Sequence, residues 1–297
     1  MKPVDFGNKE IISWLSYFSQ YEKLDLATLL ILDITRENKN IIPAVQTSRQ
    51  VMVLTDAGHP EIFYDMWSAG LGDCTILYNE GSEPAGEMKV DRLSDMIDRG
   101  INAPAAMLII NESYRSTYQI GLDNQRFYSG SIRYVSSEIR AIIMSKLQAE
   151  LRDTILTVGA ASIAVEAALV AAEGTLIAVE HRDRDKATME ENAQTFGLNN
   201  VRCISRVEEA ETLPVPGTAF LVASELLPQE IAWLMARNPE MRIFIYTLEF
   251  QRLSEIPGIL RDNGLKIEEM VQLGVSRMNS KGQMDREEAP WLITAGK

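Results

Sequence analysis

A turn of small residues, Leu156-Thr157-Val158-Gly159-Ala160-Ala161-Ser162, separates two apolar runs. Between a strand and a helix, such a turn lets a ligand approach the backbone and the helix N-terminus. Glu180 closes the next apolar run, Thr175–Val179, 21 residues after Gly159. An acid in that place can accept hydrogen bonds from both ribose hydroxyls of a nucleoside. Gly159, Ala160, Ser162 and Glu180 are therefore the candidate cofactor-binding residues. The same spacing would also serve a plain β-α-β unit, with a small residue for the turn and Glu180 as a solvated strand end. Glu249 stands at the end of the run Ile243–Thr247, as a substrate contact or a capping acid. Arg277 could grip a substrate carboxylate in bidentate fashion, or pair with Glu249 or another acid. The two histidines, His59 and His181, are isolated in sequence and read as solvent-facing. No Cys, His and acid spacing suggests a metal. Ser162 lies outside a G-x-S-x-G frame, so a serine hydrolase is not expected. No catalytic residue is identified by type and spacing.

The elements that must hold these residues follow from periodicity. In the second half, strands are expected at Thr154–Val158, Thr175–Val179, Val201–Ile204, Ala219–Val222 and Ile243–Thr247. Helices are expected from Ser136 to about Leu147, at Ile163–Ala172, Asp185–Thr195 and Pro228–Ala236, and at Leu253–Asn263. Late strands near Lys266–Leu273 and Pro290–Thr294 would end this doubly wound domain in an antiparallel hairpin. In the first half, Ile11, Ile12, Trp14, Leu15 and Phe18 recur at helical spacing. Strands are expected at Val51–Leu54, Thr75–Tyr78 and Ala106–Ile110. A helix from Pro60 to Ser68, stopped by Gly70, and a short polar helix at Asp91–Arg99 alternate with them, which predicts a parallel α/β lobe. The polar stretch from Asn111 to Gly130 predicts a boundary, giving domains at 1–130 and 131–297 joined near 125–137.

Across the 297 residues, 29 Lys and Arg stand against 42 Asp and Glu, a net charge of −13. That balance gives no global reason to bind nucleic acid or an anionic membrane. Cys74 and Cys203 suggest small buried thiols in a reducing cytosol, not a disulfide framework. The N-terminus has no signal-peptide pattern, and the most apolar stretch, Ala160 to Ala172, is too short to span a bilayer. A cytoplasmic protein is expected.

Residues 138–297 resemble the C-terminal domain of the bifunctional, decarboxylating precorrin-6Y methyltransferases of cobalamin biosynthesis. The resemblance rests on Glu138-Ile139-Arg140, Val158-Gly159-Ala160, Val165-Glu166-Ala167-Ala168 and Ala178-Val179-Glu180. It continues through Asn192-Ala193, Phe196-Gly197-Leu198-Asn199-Asn200-Val201, Thr247-Leu248-Glu249, Ser276-Arg277, Gly282 and Pro290. Ahead of these, Val51 to Asp56, Pro60 and Ala69-Gly70-Leu71-Gly72-Asp73 resemble the second lobe of the tetrapyrrole methylase domain, here without its first lobe. The resemblance implies a Rossmann-like methyltransferase domain after a truncated, smaller α/β lobe. It also implies S-adenosylmethionine as cofactor, a tetrapyrrole or corrin precursor as substrate, and a homodimer or homotetramer with the hairpin near Gly274–Gln283 at an interface. The chain departs from the family at Thr157, where the family has Asp. Its cofactor loop is shorter at Ala160-Ala161-Ser162, and Arg206-Val207, Ala223-Ser224 and Ser137 replace further family residues. Two readings stand at this point: a methyltransferase acting on a corrin precursor, and a non-catalytic relative that binds tetrapyrrole or serves as an assembly partner.

Overall fold

The computed structural model describes residues 7–35, 39–115, 120–130, 135–278 and 281–297. Residues 1–6 of the expected first helix, 131–134 of the expected junction and 279–280 of the expected terminal hairpin lie outside the described residues. The chain divides into two compact units, Met1–Tyr118 with Thr195–Asn199, and Gln119–Gln194 with Asn200–Lys297.

The first unit holds helices α1 (Asn8–Phe18), α2 (Ile41–Thr47) and α3 (Ile62–Met66) and strands β1 (Leu30–Asp33), β2 (Gln50–Thr55), β3 (Thr75–Glu80), β4 (Lys89–Arg92) and β5 (Ala105–Ile110). Its sheet runs β1-β2-β5-β3-β4. Every residue of β2 and β5 is buried, because apolar layers cover both faces of the sheet. Val51, Val53, Met107 and Ile109 face one layer, while Met52, Leu54, Leu108 and Ile110 face the other with Trp14 and Phe18 of α1.

Two expectations for this lobe are corrected. Only β1 and β2 run parallel; β2–β5, β5–β3 and β3–β4 are antiparallel. A strand covered on both faces carries the same unbroken apolar run in either kind of sheet, so the run does not report direction. Asp91–Arg99 is not a helix. Lys89–Arg92 forms an exposed edge strand, and a single 3-10 turn, Leu93–Asp95, follows it. Polar residues at an unpaired sheet edge imitate a solvated helix. The helix expected from Pro60 begins at Ile62 and passes into a π-helical turn, Trp67–Leu71.

The second unit contains α4 (Ser137–Leu147), β6 (Thr154–Val158), α5 (Ala161–Val170), β7 (Thr175–Val179), α6 (Asp183–Thr195), β8 (Val201–Ile204) and β9 (Thr218–Val222). It continues with α7 (Leu227–Arg237), β10 (Arg242–Thr247), α8 (Phe250–Asp262), β11 (Lys266–Gln272), β12 (Ser276–Met278), β13 (Met284–Arg286) and β14 (Trp291–Gly296). The seven-stranded sheet has the order β11-β14-β10-β9-β6-β7-β8. Strands β6 to β10 are parallel, and β14 and β11 close the sheet antiparallel. Strands β12 and β13 form a separate small hairpin. Helix α5 is buried along Ser162–Leu169 and packs on β6 and β7. Leu156, Val158, Ile177, Leu221 and Ile245 turn the other way, toward Leu227, Ile231 and Leu234 of α7 and Ile256 and Leu260 of α8.

A buried ion pair fastens the start of this unit. Arg140 of α4, fully buried, meets Glu166 of α5, which is 1% exposed. Glu166 also accepts the Gly121 N–H at 3.0 Å and the Leu122 N–H at 2.8 Å. Arg140 donates to Asn124 Oδ1 at 2.9 Å, to the Val135 carbonyl at 2.8 Å and to the Leu122 carbonyl. Its guanidinium lies 4.7 Å from the Phe127 ring centroid. Asn192, also fully buried, accepts the Tyr128 N–H at 2.8 Å and donates to the Tyr128 carbonyl.

Between α5 and β7, Gly174 touches the backbone that leads into β6. A Cβ there would stand 1.9 Å from the Asp153 carbonyl oxygen. The same carbonyl accepts the Thr175 N–H at 3.1 Å, so neither segment can retreat without losing that bond. Gly174→Ala is expected to cost about 2–3 kcal/mol through overpacking. A thermal melt should show a fall of roughly 5–10 °C; an unchanged midpoint would contradict this packing.

Candidate functional site

The β6–α5 turn starts with Gly159 at φ +64°, a left-handed conformation that a side chain would strain. Its N–H still reaches the Val179 carbonyl at 3.0 Å, so the turn stays tied to β7. Ala160 then occupies the N-cap of α5 with no side-chain acceptor. Glu180, at the end of β7, lines the same cavity as this N-cap. A negative group at a helix N-terminus is favoured by the exposed amides and the helix dipole.

Glu180 is 4% exposed. Burial, reinforced by Asp185 of α6, pushes its carboxyl up to about 7, while His181 and the Ala160 N–H pull the other way. Because the folded value lies above the unfolded one, this group contributes stability in acid that is lost as pH rises through about 7. The loss is roughly 3 kcal/mol if the whole rise is expressed. Glu180→Gln should therefore gain on the wild-type protein between pH 5 and pH 8. Urea unfolding at both values checks this, and parallel stability profiles would contradict it.

A cavity of about 260 Å³ opens beside this turn. It lies outside the carboxyl ends of β6, β7, β9 and β10, where the chain order reverses from β6-β7-β8 on one side to β9-β10 on the other. In open α/β sheets ligands bind at such a switch point. Gly159, Ala160, Ala161, Ser162 and Glu180 line it together with Glu249. Val135, Val222, Ala223, Tyr246 and Leu248 supply an apolar wall, and Asp185 and Thr188 come from α6. Carboxylates at Glu180, Asp185 and Glu249 give the lining an acidic character.

Glu249 sits at the mouth as the N-cap residue of α8, with its side chain 69% exposed and 3.5 Å from Arg252. Its N–H donates to Thr247 Oγ1 at 3.1 Å. Arg252 also reaches Glu225 at 3.3 Å, which links the start of α8 to the loop after β9. Arg277 does not line the cavity. It binds Glu138 of α4 through both Nε (3.0 Å) and Nη2, and also pairs with Glu287. That clamp holds the Glu138 carboxyl down at about 2. Arg206 is exposed and also outside the lining.

His181 is exposed, as its isolation in sequence predicts, yet both of its ring nitrogens meet partners within the fold. Nδ1 lies 2.9 Å from the Ser205 carbonyl oxygen and Nε2 lies 2.7 Å from Glu230 Oε1. His59, in the first unit, meets the Ile34 carbonyl at 3.0 Å. Asp185 and Thr188 carry no signal of the cavity in sequence, because a mixed-charge segment from His181 onward looks like an ordinary helix start. Tyr246 and Val222 went unread because they end apolar strands. Burial pushes the Cys74 and Cys203 thiols up to about 11 and about 12, which keeps both protonated and unreactive at neutral pH. Among the described residues no group of three His, Cys, Asp or Glu side chains could hold a metal ion. No described helix is long and apolar enough to cross a membrane.

No curated protein matches the chain. Among solved structures, a precorrin-6y C5,15-methyltransferase from Geobacter metallireducens is 23% identical with a TM-score of 0.57, covering 61% of this chain and 100% of that one. A precorrin 8W decarboxylase from Methanobacterium thermoautotrophicum is 21% identical with a TM-score of 0.52, covering 58% and 98%. These likenesses show a Rossmann-like methyltransferase fold. The profile of the precorrin methyltransferase domain matches residues 127–286, more than half of the chain. The chain therefore belongs to the precorrin methyltransferase domain family.

Proposed function

We propose that the second unit binds S-adenosylmethionine in the cavity at the β6–α5 turn and transfers its methyl group to a precorrin-type tetrapyrrole. The observation that carries this reading is the placement of Glu180: a buried acid at the end of β7, beside a left-handed glycine, on a cavity at the switch point. The donor set suits the cofactor. Glu180 accepts from the ribose hydroxyls, and Gly159, Ala160 and Ser162 leave room for the methionine end. Carboxylates at Asp185 and Glu249 favour a ligand that carries sulfonium and ammonium charge. S-adenosylmethionine brings a methyl group that is already activated, so the protein's share is orientation and exclusion of water. Glu249 is the proposed substrate contact at the mouth. Arg277 acts instead by tying the β12 strand to α4.

The proposal extends to organisation. Residues 1–130 are read as a tetrapyrrole-methylase-like lobe and 131–297 as the methyltransferase domain. A cytoplasmic homo-oligomer is proposed from two free, protonated thiols and from exposed apolar residues on β11 and the β12–β13 hairpin, Ile267, Met270, Met278 and Met284. Light scattering at the monomer mass would remove the oligomer.

Thermal unfolding with S-adenosylhomocysteine tests the binding. At about 100 times its dissociation constant a ligand stabilises by about 2.7 kcal/mol, a rise of roughly 5–10 °C for a unit of this size. Transfer of a labelled methyl group to a precorrin-type acceptor then tests turnover. A midpoint that ignores millimolar ligand would leave the non-catalytic reading in its place.

A further inference from the structure

The cavity wall formed by Val135, Val222, Ala223 and Leu248 holds one hydroxyl, that of Tyr246. Tyr246 is 9% exposed, and no described residue hydrogen-bonds its hydroxyl. Its backbone is fixed, because the Tyr246 carbonyl accepts the Ala223 N–H at 2.8 Å and β10 pairs there with both β9 and β14. Strand alternation turns the ring away from Ile245 and the core under α7 and α8, and it lies 6.4 Å from the Phe220 ring centroid. Nearby hydroxyls are already engaged. Thr188 Oγ1 donates to the Arg184 carbonyl at 2.9 Å, and Thr247 Oγ1 is bound by the backbone of Glu249. Lys, Arg and His are absent from the described lining residues. Burial pushes the Tyr246 phenol up to about 12, so it keeps its proton at neutral pH.

Strand β7, which carries Glu180, and strand β10 are separated in the sheet by β6 and β9. At the usual spacing of strands that is about 14 Å. The sulfonium methyl of S-adenosylmethionine lies only a few bonds from the ribose. A cofactor held at Glu180, with its methionine end at the β6–α5 turn, therefore leaves the β10 side to the methyl acceptor. We propose that Tyr246 is an acceptor-binding residue, whose hydroxyl donates to a carboxylate at the periphery of the tetrapyrrole and so sets which edge of the macrocycle meets the methyl donor. The assignment rests on the reading of the cavity as a methyl-transfer site. A phenol suits the place. A cation there would be captured by Glu249, as Arg252 is at 3.5 Å, whereas an uncharged donor stays available. An O–H to a carboxylate is also among the stronger hydrogen bonds. A cavity of about 260 Å³ admits an edge of a macrocycle and not its body. The body is left to the mouth, where Leu248 and Phe250 are exposed.

Tyr246→Phe keeps the ring and removes only the hydroxyl. Because that hydroxyl has no partner among the described residues, the variant should melt at the wild-type midpoint or above it. A clear fall in the midpoint would give the hydroxyl a structural partner and overturn the proposal. Uroporphyrin, a tetrapyrrole with carboxylates around its whole periphery, is the probe for the acceptor. Fluorescence titration of the full chain should show about tenfold weaker binding to Tyr246→Phe than to the wild-type protein. Equal affinity, or no binding by the wild-type protein, would overturn the proposal. S-adenosylhomocysteine, titrated separately, should bind both proteins equally. A loss matching the one for uroporphyrin would assign the hydroxyl to the cofactor and overturn the proposal as well. If neither protein binds the nucleoside, the cofactor reading fails, while melting and uroporphyrin binding still decide the role of Tyr246.

Discussion

Glu166→Ala is expected to remove about 3–5 kcal/mol of unfolding free energy, because it leaves the Arg140 guanidinium buried without its counter-charge. No other substitution considered for this chain should cost as much. Arg140 is fully buried, and Glu166 binds the backbone amides of Gly121 and Leu122 as well as the guanidinium. Arg140→Met should cost a similar amount for the complementary reason. Replacing a buried ion pair by apolar residues of similar size is often neutral. Here the double variant Arg140→Met with Glu166→Met should recover little. It would strand the amides of Gly121 and Leu122 and the carbonyls of Leu122 and Val135, each costing about 1–3 kcal/mol if it stays buried. Urea unfolding of the three variants measures this. A loss below about 1 kcal/mol in the single variants would show the pair to be solvated.

Glu180→Ala should weaken S-adenosylhomocysteine binding about 100-fold. Two hydrogen bonds to a charged acceptor contribute about 1.5–3 kcal/mol each, and about 3 kcal/mol corresponds to a little over two decades in affinity. Glu180→Gln keeps an acceptor oxygen and should lose about tenfold. With a midpoint of about 7, the ionised share of Glu180 climbs from about a tenth at pH 6 to about nine tenths at pH 8. Wild-type affinity should therefore improve about tenfold over that interval, and Glu180→Gln should lose the trend. Calorimetric titration of the three proteins at both pH values reads all of this, and a pH-independent wild-type affinity would separate Glu180 from the ribose.

The second unit is legible because its strands and helices alternate with clear punctuation. Thr154–Val158, Thr175–Val179 and Val201–Ile204 fall where periodicity predicts them. The first unit is less so. The short polar strand Lys89–Arg92 has no partner on its outer side and no apolar alternation to betray it. Strand direction there depends on which elements lie between strands in space, and composition carries no trace of that. The residues behind the family resemblance divide by role in a way that spacing could not reveal. Gly159 and Glu180 line the cavity. Glu138 with Arg277, Arg140 with Glu166, and Asn192 with the Tyr128 backbone hold segments distant in sequence. Asn200, another of them, donates to the Ala168 and Ala171 carbonyls at the end of α5. Arg277 reads equally well as a carboxylate receptor until Glu138, 139 residues away in sequence, is seen to occupy it. His181 escapes notice for the same reason, since Ser205 and Glu230 are joined to it only by the fold.

The cavity bordered by Gly159 and Glu180 is proposed as a nucleoside cofactor site. Isothermal titration of the full chain with S-adenosylmethionine and S-adenosylhomocysteine at pH 8 tests it most directly. One site per chain with a micromolar dissociation constant is expected for both ligands, with about 100-fold weaker binding in Glu180→Ala. Absence of binding heat at millimolar ligand, or binding that Glu180→Ala leaves intact, would contradict it.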